Sequence, residues 1–439
     1  MKKYTLIITS LLIALTLTSC KGKSKTNTMP VQADNNGMAA KFMKASEKAA
    51  DEKSSAEQQK TATTSATVNF EQTEPLYKTT ERRGFKMGAV ISYHSALNAA
   101  YTNMLKEGFN SITASNEFKA YSLLNQRDSM RSANGMPAMN YSQADTIAKF
   151  AQENGIGIRG HVLVWDAYMP VWFFKEGYKN DSAFVDSNTM KKRLEYYIDE
   201  VVSHFEKNFP GVVYCWDVVN EAVADGPNEC KAGDERCVRT LRGGTPNYFY
   251  EVIGPDYVEL AFKYARTAAN KVNPNIKLFY NDYNTFYSPK KEAIGKLLAS
   301  INKNEKLCDG LGMQGYVGGY GQQAGCMNQN DINLFSKAIK FYGEMGLEVH
   351  VTELALRNYE LEQAGAHEDF YENFFKMLAA SNSEHNYLTS VSIWGLTDNP
   401  NMPKNDYNYK MNGPYCGIFH NNLQKKPEFY RIIKALMVE

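Results

Sequence analysis

The sequence contains no concentrated basic segment and no spacing typical of a metal site. Its 49 Lys and Arg residues balance 48 Asp and Glu residues, and no basic run exceeds a few residues. Phosphate binding needs a concentrated basic face, so we expect no nucleic-acid partner. The seven Cys and seven His residues show no zinc-ligand spacing. We therefore expect neither a metal ion nor an organic cofactor.

The N-terminal segment has an apolar run that is too short to cross a bilayer. Met1-Lys2-Lys3 forms a basic start, and the apolar region Leu6 to Leu17 leads to Leu17-Thr18-Ser19-Cys20. This order is typical of an export signal. The Leu-x-Ser-Cys ending resembles the bacterial lipoprotein signal, in which the cysteine is lipidated. The alternative is a plain secretory signal in which Cys20 is incidental.

We therefore predict a lipoprotein signal peptide over residues 1–19 and a membrane anchor through acyl chains on Cys20. This places the protein in a bacterial cell envelope, at the outer membrane or the cell surface. Residues 20–75 are rich in Lys, Ser, Thr, Ala, Gln and Asn and predict a flexible tether. We predict that residues 76–439 form one folded domain, and we expect the protein to be a monomer.

Export also affects the interpretation of the cysteines, because an oxidising compartment permits disulfides. Cys230 and Cys237 flank a polar hexapeptide and form our candidate pair. Cys215 lies inside an apolar run, which favours a free thiol in the core. Whether Cys326 and Cys416 pair is left open.

Short apolar runs alternate with stretches of helical periodicity from about residue 84 onwards. Eight strands alternating with helices predict a (β/α)8 TIM barrel in the α/β class. An open doubly wound sheet is the competitor, but no Gly-x-Gly-x-x-Gly follows the first predicted strand. The predicted strands are Phe85–Ile91, Phe109–Thr113, Ile156–Val164, Val212–Val219, Ile276–Tyr280, Leu311–Gly315, Leu347–Val351 and Val391–Trp394; the predicted helices include Ser142–Asn154, Met190–Lys207, Tyr257–Asn273, Lys290–Asn302, Asp331–Met345 and Asp369–Ala380.

Polar or aromatic side chains stand where these strands end. Each one alone has an ordinary structural explanation, such as a helix cap or a core residue. Their recurrence at the carboxyl ends of successive strands indicates an active face, because stability alone does not require it. The residues are Asn116, Lys119, His161, Trp165, Asn220, Glu221, Asn281, Asp282, Asn284, Gln314, Thr352, Glu353, Trp394 and Asp398.

Two carboxylates follow apolar strands, Glu221 after the fourth and Glu353 after the seventh. Taken alone, Glu221 has two interpretations of equal weight, a helix cap or a functional acid. Two carboxyl groups facing each other across a barrel mouth are what glycoside cleavage needs. One is protonated to assist the departing oxygen, and the other is ionised to attack the sugar carbon.

These segments resemble the family 10 glycoside hydrolases, whose main activity is endo-β-1,4-xylanase, over residues 84 to 436. Seven motifs in the family's order carry the resemblance, and together they are more specific than any one alone. They are Phe-Asn-Ser-Ile-Thr-Ala-Ser-Asn-Glu-Phe-Lys (109–119), Arg-Gly-His-Val-Leu-Val-Trp (159–165), Trp-Asp-Val-Val-Asn-Glu-Ala (216–222), Asn-Asp-Tyr-Asn (281–284), Gly-Met-Gln (312–314), Val-Thr-Glu-Leu (351–354) and Trp-Gly-Leu-Thr-Asp (394–398).

The resemblance implies a retaining double displacement on xylan or xylo-oligosaccharides. Glu221 would be the acid/base and Glu353 the nucleophile, with the carboxyl groups about 5–5.5 Å apart. Asn220 would bind the sugar's 2-hydroxyl beside the cleavage point. The remaining residues implied to bind substrate are His161, Trp165, Gln314 and Trp394 in that subsite, with Asn116 and Lys119 in the next.

The chain also departs from the family pattern. Ser115 replaces a Glu, Ala120 a Trp, and Asp166-Ala167-Tyr168 replaces His-Ser-Gln. Tyr316 and Ala355 replace a His and an Asp that form a hydrogen-bonded pair beside the nucleophile. Losing both avoids a stranded partner. We hypothesise that Tyr316 instead donates a hydrogen bond to Glu353.

The segment from Ala224 to Pro246 is longer than the family's usual connection after the acid/base. We interpret it as a tolerated insertion; the alternative is a wall that narrows the cleft.

Two other functions are kept open. The altered cleft is compatible with a sugar-binding lipoprotein that turns substrate over poorly, although a binder needs no facing carboxylates. It is also compatible with hydrolysis of another β-linked glycan or of decorated xylan.

Overall fold

Eight parallel strands form a closed barrel in the computed structural model, which describes residues 74–318 and 327–437. The order around the barrel is β1-β8-β7-β6-β5-β4-β3-β2, so each strand pairs with its neighbours in sequence. This arrangement brings the carboxyl ends of all eight strands to one face. The strands are β1 Lys86–Ile91, β2 Ser111–Ala114, β3 Gly157–Gly160, β4 Val213–Asn220, β5 Lys277–Asp282, β6 Gly310–Val317, β7 Glu348–Leu356 and β8 Leu388–Ile393.

A helix follows each strand and packs its apolar side against the barrel. Asn98, Asp186 and Asn328 cap the first, third and sixth helices by accepting backbone N–H groups. The helices are α1 Ala99–Gly108, α2 Ser142–Glu153, α3 Ser187–Asn208, α4 Tyr257–Val272, α5 Lys290–Ile301, α6 Gln329–Glu344, α7 Ala364–His385 and α8 Pro427–Met437.

Shorter elements occupy the connections. Two pairs of two-residue strands are antiparallel. Leu124–Asn125 pairs with Ala138–Met139, and Leu241–Arg242 pairs with Thr245–Pro246. The short helices, including 3₁₀ turns, are Leu76–Glu81, Tyr93–Ala96, Ala120–Leu123, Gln126–Ser129, Asp166–Tyr168, Val171–Phe174, Glu176–Tyr178, Pro227–Glu229, Tyr248–Ile253, Leu361–Gln363 and Tyr407–Asn412.

The predicted barrel and the alternation of its elements are confirmed, with the third strand much shorter than expected. The third strand ends at Gly160, not Val164. Its regular pairing with β4 stops after the Gly160–Trp216 register pair; beyond it, Leu163 donates its backbone N–H to Asp217, and an isolated bridge joins Val164 to Val219. The apolar run therefore extends beyond the regular ladder, because His161 to Leu163 are buried without being paired as a strand.

The barrel interior includes a buried charged cluster beneath the active face. Arg159 donates from Nε to Asp217 Oδ2 at 3.1 Å and also contacts His350. Asp217 Oδ2 lies 2.9 Å from His161 Nδ1. Burial opposes ionisation of Asp217, but the charge of Arg159 and the contact with His161 outweigh it and lower the pKa of this carboxyl. The cluster therefore connects the barrel core to a predicted site residue.

Register irregularities interrupt the ladder just before each predicted catalytic carboxylate. Pairing of β4 with β5 shifts between Asp217 and Val219. Pairing of β7 with β8 shifts between Val351 and Leu354, around Glu353. Such irregularities re-aim side chains and are common beside active sites.

The predicted signal peptide, Cys20 and the predicted tether lie outside the described residues, apart from Glu74 and Pro75. Cys326 also lies outside them. Between residues 74 and 437, leaving out 319–326, no helix is long and apolar enough to cross a bilayer.

Gly312 lies where the barrel interior leaves no room for a side chain. A Cβ at this position would lie 2.2 Å from Asn281 Oδ1 and 2.6 Å from Arg159 Nη2. We predict that Gly312→Ala lowers the free energy of unfolding by about 1–3 kcal/mol, because overpacking displaces these groups. Urea denaturation followed by circular dichroism measures the change.

The control for this prediction is Gly108→Ala at the end of α1. A Cβ there meets no atom of the described residues within 4 Å. Alanine costs less backbone entropy than glycine in a helix, so this variant should be as stable as the native protein or slightly more stable. Equal unfolding free energies for the two variants would contradict the packing argument.

Candidate active site

Of the two predicted catalytic glutamates, Glu221 directly follows β4 and Glu353 lies within β7. Both are nearly buried. Glu221 is 7% exposed and Glu353 is 8% exposed. Their backbones have φ values of +56° and +52°, in the left-handed region that residues other than glycine rarely adopt. Each such residue costs on the order of 1–3 kcal/mol and persists only where the surroundings fix it. The barrel therefore holds both carboxylates in defined, strained positions.

Side-chain amides connect the two glutamates. Gln314 Nε2 donates to Glu221 Oε1 at 3.0 Å and lies 3.3 Å from Asn220 Oδ1. Asn281 Nδ2 lies 2.9 Å from the same Asn220 oxygen and 3.2 Å from Glu353 Oε1. This chain of hydrogen bonds orients both carboxylates toward the same space.

The hypothesised hydrogen bond between Tyr316 and Glu353 is present. Tyr316 donates from its hydroxyl to Glu353 Oε2 at 2.8 Å. Burial raises the pKa of Glu353, and the negative charge of Glu221 acts in the same direction. His161, the Tyr316 hydrogen bond and Lys119 oppose this rise because they favour the carboxylate.

The amine of Lys119 interacts electrostatically with Glu353 and lies close to two aromatic rings. Lys119 Nζ is 5.2 Å from the ring centre of Trp165 and 4.7 Å from that of Tyr168, and it donates to Asn116 at 3.3 Å. Burial lowers the pKa of Lys119 to about 8, against the attraction of both glutamates. The amine is thus a hydrogen-bond donor whose charge is held in an enclosed, partly aromatic space.

The rings of three predicted residues border this space. His161 lies 6.0 Å from Trp165 and 6.5 Å from Trp394 between ring centres. Trp165 packs on Tyr168 at 4.4 Å. Flat rings of this kind offer surfaces against which sugar rings pack.

Two buried donors in this region have no acceptor among the residues that the structure describes. They are Asn220 Nδ2 and Trp165 Nε1. A buried polar group without a partner is costly, and such groups point to a functional reason. A ligand carrying several hydroxyl groups would satisfy both.

The long segment after Glu221 contributes directly to the site, so its interpretation as a merely tolerated insertion is wrong. Arg242 Nη1 donates to Glu221 Oε2 at 2.8 Å, and its Nε and Nη2 donate to Asp166 at 3.0 and 2.8 Å. Arg239 is buried and donates from Nε to the carbonyl of Glu221 at 3.2 Å. The predicted disulfide between Cys230 and Cys237 is present in the same segment.

Contacts and electrostatic interactions connect the ten residues to which the family resemblance assigns a role, whereas Asp398 pairs with Lys426 and Asp282 with Lys290. Asn281 was noted only as a strand-end residue, although it bonds to both halves of the site. Arg242 and Arg239 were missed; the adjacent Gly243-Gly244 pair, typical of a hairpin turn, was the available signal. The connected residues are Asn116, Lys119, His161, Trp165, Asn220, Glu221, Gln314, Tyr316, Glu353 and Trp394.

Comparison with known proteins matches the same part of the chain. The Glycosyl hydrolase family 10 model matches residues 76–435. A Caldicellulosiruptor saccharolyticus relative is 36% identical over 327 residues, which is 71% of this chain and 95% of the relative. Endo-1,4-beta-xylanase B of Butyrivibrio fibrisolvens is 32% identical over 82% of this chain; the chain spans about half of that enzyme, 53%.

A solved structure has the same architecture. Xylanase XynB from Paenibacillus barcinonensis, in complex with a conduramine derivative, superposes with a TM-score of 0.66 at 27% identity. The match covers 83% of this chain and 99% of that one. From the family match and the level of identity, the chain belongs to glycosyl hydrolase family 10.

Proposed function

We propose that the protein is a retaining endo-β-1,4-xylanase in which Glu221 is the acid/base and Glu353 the nucleophile. The observation that carries this proposal is the pair of buried carboxylates in strained backbone positions, connected through Gln314, Asn220 and Asn281. Paired carboxylates in a barrel mouth are the machinery of glycoside hydrolysis. Xylan as the substrate is supported by the names of the Butyrivibrio and Paenibacillus relatives.

In the first step a carboxylate oxygen of Glu353 attacks the anomeric carbon, and the bond from that carbon to the glycosidic oxygen breaks. Glu221 gives its proton to the departing oxygen, so the leaving chain departs as an alcohol. Tyr316 and Asn281 orient the attacking carboxylate. The products are a glycosyl-enzyme ester at Glu353 and an ionised Glu221.

In the second step Glu221 removes a proton from water, whose oxygen attacks the same anomeric carbon. The ester bond to Glu353 breaks, and both carboxyl groups return to their starting states. We assign to Asn220 Nδ2, which has no acceptor among the described residues, the hydrogen bond to the 2-hydroxyl of the sugar. Such hydrogen bonds strengthen in the transition state and so contribute to rate.

The soluble domain, residues 76–439, should release reducing ends from xylan, and proton NMR should show the β-anomer as the first product. Glu221→Ala should lower the rate on xylan by about 10²–10⁴, because general acid assistance is lost. Glu353→Gln should abolish turnover. Release of the α-anomer first would contradict the retaining mechanism, and xylan binding without release by the native domain would favour a binding protein.

The Tyr316 hydroxyl should set the acidic limb of the activity profile. Its hydrogen bond favours the Glu353 carboxylate, so Tyr316→Phe should raise the pKa of Glu353 further. The nucleophile must be ionised, so the acidic limb of kcat/KM should move upward by about one to two pH units, since a hydrogen bond to a charged group contributes roughly 1.5–3 kcal/mol. Hydrolysis of an aryl xylobioside measured across pH tests this.

Tyr214→Phe is the matched control. The Tyr214 hydroxyl bonds to Ser111 at 2.9 Å, near the opposite end of β4 from Glu221. This variant should leave the acidic limb in place. An unchanged limb in Tyr316→Phe, or the same movement in both variants, would refute the role assigned to Tyr316.

We also propose that the protein is exported and lipidated at Cys20. The basic start, the short apolar segment and the Leu-x-Ser-Cys ending support this proposal. Cells that express the full chain and receive a radioactive fatty acid should yield a labelled protein in the membrane fraction. Cys20→Ser should remove the label. An unlabelled native protein, or equal labelling of both, would overturn the proposal.

A further inference from the structure

The acid/base carboxylate is occupied by donors on both of its oxygens. Oε1 accepts from Gln314, and Oε2 accepts from the guanidinium of Arg242 at 2.8 Å. The second donor belongs to the segment that exceeds the family's usual connection. It carries a full positive charge and is only 25% exposed, so water screens its interaction with the carboxylate weakly.

A tight hairpin places Arg242 at this position. Leu241–Arg242 pairs with Thr245–Pro246, and Gly243 and Gly244 form the two-residue turn with φ values of +55° and +86°. Positive φ at both turn residues is the conformation that two-residue hairpins favour, and glycine adopts it without steric cost. The side chain that precedes the turn is thereby fixed relative to the barrel.

The base of the hairpin is fixed as well. Arg239 is buried, and its backbone N–H donates to the carbonyl of Ala222 at 2.7 Å. Its Nη2 donates to the carbonyl of Val223 at 3.0 Å. The Cys230–Cys237 disulfide closes the preceding loop. These contacts make the segment a rigid support for Arg242.

Asp166 holds the opposite side of the guanidinium. Two N–H groups of Arg242 reach the two oxygens of Asp166 at 3.0 and 2.8 Å, in the forked geometry that arginine and carboxylate groups favour. The side chain of Asp166 is 5% exposed. Asp166 is also one of the departures from the family pattern. The Asp166–Arg242 pair is therefore a unit of this chain that directs the remaining N–H groups to Glu221.

Arg242 also fixes the backbone of the acid/base. Its Nη2 donates to the carbonyl of Glu221 at 3.1 Å, beside the bond from Arg239. Several other ionisable groups interact electrostatically with Glu221. Among residues 74–318 and 327–437, Arg242 is the charged group that bonds directly to the Glu221 carboxylate. The other groups are Lys119, Tyr168, Asp282, Tyr316 and Glu353.

We propose that Arg242, held by Asp166, is a positioning residue that orients Glu221 and stabilises the carboxylate which remains when Glu221 gives up its proton. The inference rests on the proposed role of Glu221 as acid/base. A protonated carboxyl oxygen still accepts a hydrogen bond while it donates its own proton, so the contact is compatible with the acid form. As the proton leaves, negative charge develops beside a fixed cation, and this interaction is stronger in the transition state than before it.

The proposal predicts a dependence on the leaving group. A phenyl xylobioside needs proton donation for cleavage, whereas a dinitrophenyl xylobioside does not, because its phenolate is already a good leaving group. Arg242→Ala should lower kcat/KM for the phenyl substrate about 10–100-fold more than for the dinitrophenyl substrate, as expected for a lost charge-assisted hydrogen bond. Equal losses on both substrates, or no loss, would overturn the proposal.

Arg236→Ala is the control variant, since Arg236 lies in the same segment and pairs with Asp234 at 3.0 Å. It should keep the native ratio between the two substrates. The double variant Asp166→Asn, Arg242→Ala leaves no unpaired carboxylate at position 166. It should show the same selective loss if the guanidinium itself is responsible, and a native ratio in this variant would contradict the proposal.

Chemical rescue separates positioning from folding. Adding guanidinium ion at low millimolar concentration to Arg242→Ala should restore part of the activity on the phenyl substrate, and urea at the same concentration should not, because it lacks the charge. Rescue by neither compound, with a melting temperature equal to that of the native protein, would count against the proposal.

Glu221→Ala distinguishes this proposal from the proposed function. If Glu221 is the acid/base, its removal should reduce cleavage of the phenyl substrate selectively. If that selective loss is absent, the assignment of Glu221 fails first. If Glu221→Ala shows it and Arg242→Ala does not, the role of Arg242 alone is refuted.

Discussion

In the proposed mechanism two nearly buried glutamates in one barrel mouth must have different protonation states, and each is contacted by different side chains. Glu353, the proposed nucleophile, must be ionised to attack, although burial and the charge of Glu221 raise its pKa. Tyr316, His161 and Lys119 counter that rise. On the other side, Gln314 and Arg242 bond to the two oxygens of Glu221. Each glutamate therefore has its own set of donors.

Three departures from the family pattern, Tyr316, Ala355 and Asp166, are explained by the residues that they contact or lie opposite. Tyr316 and Ala355 are register partners on β6 and β7, so the small alanine lies opposite the tyrosine that bonds to Glu353. Asp166 and Arg242 form an ion pair although 76 positions separate them in the chain. Without Arg242, the nearly buried carboxylate of Asp166 would lack this partner, which is the costly arrangement.

The barrel and the two glutamates were predictable because they depend on patterns within single strands. Apolar runs of strand length predict buried strands, and polar residues that recur after successive runs, two of them glutamates, predict one active face. The contact between Tyr316 and Glu353 was also predictable, but from the family resemblance, in which the position of Tyr316 lies beside the nucleophile. The early end of β3 at Gly160 was not predictable, because buried residues continue to Val164 although regular pairing with β4 stops at Gly160.

Arg242 and Asn281 were not assigned roles because their contacts depend on geometry that periodicity does not encode. Asn281 bonds to Asn220 and Glu353 from a third strand, and only the closed barrel shows which side chains it reaches. Arg242 reaches Glu221 through a disulfide-closed loop, a buried arginine and a two-glycine turn. Loop residues are positioned by such combinations of local interactions, and sequence spacing alone does not specify them.

The central claim is that Glu353 forms a covalent bond to the sugar while Glu221 exchanges the proton. A dinitrophenyl xylobioside fluorinated at the sugar 2-position should form the glycosyl-enzyme quickly and hydrolyse it slowly, so the intermediate accumulates. Mass spectrometry of the intact protein and of its peptides should then find one fluoroxylobiosyl group, attached to Glu353. Attachment to another residue, or no attachment while xylan is still hydrolysed, would contradict the account.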